Sequence, residues 1–97
     1  MSLSFKWRRY RQGKLGVVWV LESMHGEAPV ASVRRALNAP GWRYIIHPGR
    51  ELPHEAHGTG LKSSRAARKH AWAYLDRRSV KLFNADILCL VDEEIVA

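Results

Sequence analysis

The chain has 97 residues, enough for one domain with a modest core. Its 46% apolar and 26% charged residues are ordinary for a folded protein and argue against general disorder. Sixteen Lys and Arg outweigh nine Asp and Glu, giving a formal net charge of +7. The longest apolar run, Ile87-Leu-Cys-Leu-Val91, falls far short of the about 18 residues that span a bilayer. The first nine residues lack the apolar core of a secretory leader, and Cys89 stands alone, which excludes an internal disulfide. A single domain, 1–97, in the cytoplasm and without a membrane partner is the expectation.

The charge is unevenly spread. All the bases lie within residues 1–81, opposed there by Glu22, Glu27, Glu51, Glu55 and Asp76. The tail beyond holds Asp86, Asp92, Glu93 and Glu94 and no base. Such a body attracts polyanions, nucleic acid first among them.

Phe5–Arg11 interleaves Trp7 and Tyr10 with bases, as a half-exposed strand does. Gln12–Gly16 supplies two glycines free to take positive φ, and Val17–Leu21 is β-branched and aromatic. These two runs read as a hairpin. Pro29–Leu37 puts Val30, Val33 and Leu37 at helical spacing behind a proline suited to a first turn. Val30–Arg34 equally fits a short strand; the spacing favours the helix. Trp42–His47 reads as a strand, Pro48–Pro53 as turn, and His54–Gly58 as a short returning strand.

Lys62–Arg78 is the clearest helix, since Ser63 or Ser64 can cap it and alanines fill it. Residues 84–96 admit two readings. Asn84 can cap a helix with Ile87, Leu88, Val91 and Ile95 on one side, and five consecutive apolar residues can equally form a buried strand. The regular i, i+4, i+8 spacing tips the reading to helix, although Asp92–Glu94 suit a helix C-terminus poorly. The resulting expectation is an α+β fold: an antiparallel sheet of three to five strands with one main helix, about 62–78, on one face.

At 100° per residue, Ser63, Ala67, Ala71, Tyr74 and Leu75 share one side of that helix. Lys62, Arg65, Lys69, Trp72 and Asp76 collect on the other, with Arg68 on the flank. Four bases and an indole make a compact surface for anions. The stretch Gly58-x-Gly60 followed by Ser63-Ser64-Arg65-Ala66-Ala67-Arg68-x-x-Ala71 resembles the end of a double-stranded-RNA-binding domain. That resemblance implies that Arg65 and Arg68 stand where phosphate-contacting lysines do, and that Ala67 and Ala71 are the buried alanines. It covers about 18 of the 97 residues. Trp72 replaces a usual alanine, and no first helix precedes Phe5. The same stretch is similar to the small sheet-plus-helix DNA-binding modules of integrases and phage proteins. Those lay the sheet in the major groove, which implies Trp7, Arg9, Arg11, Arg43 and Tyr44 on the exposed sheet face.

On the first strand, alternation sets Trp7, Arg9 and Arg11 on one side and Lys6, Arg8 and Tyr10 on the other. Bases on an edge strand also guard against sheet-to-sheet association. Arg34-Arg35 and Arg77-Arg78 read as solvated pairs. Among the histidines, His47, His54 and His57 lie close in sequence, but no Cys-x-x-Cys accompanies them, and polar turns account for them. No nucleophile–base spacing and no phosphate-cradling Gly-x-x-x-x-Gly-Lys loop appears.

The expected function is therefore nucleic-acid binding, DNA or RNA, without enzymatic chemistry, metal or cofactor. Lys62, Arg65, Arg68 and Lys69 would hold phosphates with Arg9 and Arg11, and Trp72 or Trp7 would stack. The alternative is a protein-interaction module, a phage-type accessory or inhibitor docking on an acidic partner. The acidic tail also complements the basic face of a second copy, which allows a homodimer.

Overall fold

Five strands follow one another as an antiparallel meander in the computed structural model: β1 Ser2–Arg11, β2 Val17–Ser23, β3 Ala31–Arg35, β4 Trp42–Ile46 and β5 Ala56–Leu61. Helix α1, Ser64–Arg77, then crosses one face, and the chain rejoins the sheet as β6, Ile87–Leu90, and β7, Glu94–Ile95. Both late strands run parallel to β1, β6 beside its first half and β7 beside Arg8 and Arg9. The order across the sheet is β5-β4-β3-β2-β1-β6. The structure describes residues 2–24, 29–48, 55–78, 87–91 and 94–95. The turn readings at 49–53, His54 and the Asn84 cap lie outside them.

The hairpin forms where the turn chemistry places it. Gly13–Leu15 makes one 3-10 turn, and the Gln12 amide donates to the Gly16 carbonyl at 2.8 Å. β1 then pairs with β2 from Phe5↔Ser23 to Arg11↔Val17. The sheet is α+β as expected, with its helix on one face. Two expectations are corrected.

Residues 31–35 form a strand, not part of a helix. Ala31 and Val33 are fully buried and alternate with half-buried Ser32 and Arg34, a period of two. Leu37, which completed the helical spacing, is 66% exposed beyond the strand. The second correction is at the C-terminus, where Ile87–Leu90 and Glu94–Ile95 are strands. The edge of β1 offers a row of unpaired backbone groups, and the run Ile87–Leu90 takes them. A long-range ladder thus overrides local helical spacing.

The core sits between α1 and one face of the sheet. Phe5 and Trp7 of β1, Trp19 and Leu21 of β2, Ala31 and Val33 of β3 and Ile46 of β4 meet Ala67, Ala71 and Leu75 of α1. The alanines let the helix axis come close to the strands, and Leu75 fills the wider end. Ser63 caps α1, its Oγ accepting from the Ala66 amide at 3.1 Å. Gly60, at φ +73°, makes a bulge in which Thr59 and Gly60 together face Arg43. Among the described residues no helix is long and apolar enough to cross a membrane.

Candidate nucleic-acid interface

The register divides every strand between two faces, and each carries bases. On the helix side, α1 turns Lys62 (just before its start), Arg65 and Lys69 outward, all exposed. Arg68 is turned inward. Its guanidinium lies 3.8 Å from the centroid of the Trp19 ring, its Nε donates to the Ser64 carbonyl at 3.3 Å, and only 8% of the residue is exposed. Trp72 is half-buried, its ring edge-on to Phe5 at 6.0 Å. Trp7 is 1% exposed and belongs to the core, so its ring has no free face for a base.

Five of the residues singled out from sequence nevertheless share one place. Arg65, Arg68, Lys69, Trp72 and Trp7 line a cavity of about 360 Å³, completed by Ala73, Asp76 and Leu90. Arg9 stands opposite Trp19 in the β1–β2 ladder, beside the ring that carries Arg68. Arg11 is exposed at the strand end, away from this cavity's lining. The Gly58-x-Gly60 element has a packing reason: a side chain at Gly58 would collide with the Tyr44 ring across the sheet. Tyr44 in turn stacks on His70 of α1, with centroids 6.5 Å apart and planes 18° from parallel.

The opposite face of the sheet, on which none of the core residues facing α1 fall, carries the second cationic surface. Of the five residues assigned to an exposed sheet face, only Arg43 is here; Trp7, Arg9, Arg11 and Tyr44 are on the helix side, because each pairs with a residue of that face. Across the ladder one row runs Tyr10, Val18, Arg34, Arg43. The next row holds Arg8, Val20, Ser32, Ile45 and His57, and the third sets Lys6 opposite Glu22. Val18 and Ile45 are nearly enclosed although they point away from the core, as expected under long arginine stems.

Arg34 and Arg43 are direct cross-strand partners, an arrangement that costs stability because like charges face each other. The Nε of each is buried and finds no acceptor among the described residues. Glu22, the acid of this face, is already engaged. It accepts from the Tyr10 hydroxyl at 2.8 Å and meets the Arg8 Nε at 3.3 Å. That hydrogen bond, helped by partial burial and the carboxylate charge, raises the Tyr10 pKa above the ordinary 10.0; Arg8 pulls it back.

Lys6, Arg8 and Arg34 were not among the residues expected to bind. Alternation in β1 already separated Lys6 and Arg8 from Trp7, but Arg34 joins them only once residues 31–35 are a strand. Its neighbour Arg35 points to the helix side and lies 5.5 Å from the Trp42 ring centroid. Among the described residues no three His, Cys, Asp or Glu side chains come together as metal ligands would. Comparison with protein-family models, characterised proteins and solved structures finds no match, so the functional reading rests on this geometry alone.

Proposed function

We propose that this protein binds nucleic acid without chemistry, taking phosphates on the open face of its sheet and on the outer bases of α1. The observation that carries the reading is the Arg34–Arg43 pair. The two arginines stand opposite each other on β3 and β4, Arg8 and Lys6 lie in the neighbouring rows of the same face on β1, and Glu22 is already committed to Tyr10 and Arg8. A phosphate between the arginines would offset their repulsion and satisfy donors in the forked geometry that suits guanidinium. Lys62, Arg65 and Lys69 add a second cationic strip, with Arg9 and Arg11 beyond the helix.

A gel-shift titration with duplex DNA, duplex RNA and single strands across salt concentrations tests this. If Lys6, Arg8, Arg34 and Arg43 each neutralise one phosphate, log affinity should fall against log salt with a slope of about −3.6 on duplex DNA. Binding that ignores salt would sink the reading. In that case the same basic face would fit an acidic protein surface instead.

A further inference from the structure

We propose that the cavity beside α1 receives one unpaired nucleotide, base inward and phosphate toward the helix start. The inference rests on the nucleic-acid reading for its class of ligand, but it concerns a different surface from Arg34 and Arg43. Along α1 the lining residues come in a definite order: Arg65 and Lys69 first, with Arg68 between them turned inward onto Trp19, then Trp72, then Asp76. From Arg65 to Asp76 the helix rises about 16 Å, and both side chains reach into the cavity they line. Cations, an aromatic surface and a carboxylate in sequence match the order of a nucleotide: phosphate, base plane, donor edge.

The middle of the cavity is apolar on both walls. Leu90 pairs with Phe5 across the β1–β6 ladder, and Trp72 meets Phe5 edge-on, so Phe5 brings the two together. Leu90 is 42% exposed, unusual for a leucine with apolar neighbours, and Trp72 is half-buried. A base between them would cover both and stack on the indole, a contact that every base can make through its π face. The volume of about 360 Å³ lies at the small end of ligand pockets, which span roughly 300–1,000 Å³. A duplex offers no such insertion, because its bases are stacked and paired. Asp76 accepts hydrogen bonds only, so it takes a donor on the base edge, whether an exocyclic amino group or the ring N–H of uracil or guanine.

The test uses the intact protein and adenosine 5′-monophosphate, followed by the four tryptophan indole N–H signals in a proton–nitrogen NMR spectrum, with Trp72 assigned through Trp72→Phe. Millimolar affinity is expected from so few contacts, so titration to about 10 mM suffices. The Trp72 signal should move saturably, ribose 5-phosphate should leave it in place, and Asp76→Ala should weaken binding at least threefold. Arg65→Ala with Lys69→Ala, both at exposed positions, should weaken binding at least tenfold while the other indole signals stay native. An unmoved Trp72 signal, or equal drift of all four indoles, overturns the proposal. If that happens while duplex binding persists and is abolished in Arg34→Ala/Arg43→Ala, the sheet-face reading stands without the pocket. Unchanged affinity in Asp76→Ala overturns the role given to Asp76.

Discussion

The Arg68 guanidinium sits over Trp19, 3.8 Å from its ring centroid, beneath the helix that carries it. Arg68 therefore does structural work at a position where a phosphate contact was expected. Its stem fills the space between α1 and β2, and its Nε bonds back to the Ser64 carbonyl. A desolvated cation over an indole contributes about 2 kcal/mol or more, and truncation would also open a cavity. Arg68→Ala should accordingly cost about 2–4 kcal/mol, and Arg68→Lys part of that, because lysine lacks the planar group. Thermal melting should show the loss, while affinity for a duplex, measured well below the melting point, changes less than threefold. A stable Arg68→Ala protein that no longer binds would make Arg68 a contact after all.

Gly58 and Tyr44 give a second, independent test. The tyrosine ring lies over the glycine across the β4–β5 ladder, and a methyl group there would strike it. Gly58→Ala should displace the ring from Gly58 and from His70, costing about 1–3 kcal/mol as overpacking does. In a Tyr44→Ala background the same change should cost much less. A double-mutant cycle that comes out additive would show that the cost at Gly58 does not come from the Tyr44 ring.

What could be read from the chain divides by the range of the interactions involved. The β1–β2 hairpin and α1 depend on neighbours: Gly13 and Gly16 in the turn, Ser63 at the cap, Ala67, Ala71 and Leu75 at helical spacing. These were legible. The strand at 31–35 and the two strands after residue 86 depend on partners elsewhere in the chain, and their apolar residues also fit a helical period. Sequence spacing could not choose between them. The same limit affected the site. Helical phase located Arg65 and Lys69 on the surface correctly, but it could not show that Trp19 awaits Arg68. Nor could it show that the register would set Arg34 against Arg43.

That cross-strand pair yields a prediction with opposite signs for stability and binding. Arg34→Glu replaces a repulsive partner of Arg43 with an attractive one, so stability should rise by about 0.2–1 kcal/mol. A shift of this size raises the melting temperature of a domain this small by a few degrees. Nucleic-acid affinity should fall at the same time, and the salt slope should become shallower by about 0.9 for each phosphate that is no longer neutralised. The combination separates a binding residue from a folding one. A variant that is less stable and binds as before would argue that the open face is not where phosphates sit.

Tyr10 links the open face to pH. Its hydroxyl donates to Glu22, and ionising it would both remove that bond and set two anions together, which is why its pKa is raised. Below pH 10 the tyrosine is neutral in both folded and unfolded chains, so its contribution is fully present and constant. As pH climbs past the unfolded value of 10.0, the unfolded chain releases its proton first and stability declines. The decline ends once pH exceeds the raised folded value, when the contribution is gone. Because the pair is partly exposed, the bond is worth only about 1 kcal/mol. Tyr10→Phe lacks both the bond and the titration, while every lysine that also titrates in this range is common to the two proteins. The melting-temperature difference between wild type and Tyr10→Phe should therefore stay level up to about pH 10 and shrink above it. A difference that widened with pH would mean that the hydroxyl stabilises the fold as an anion, held by Arg8 in place of Glu22.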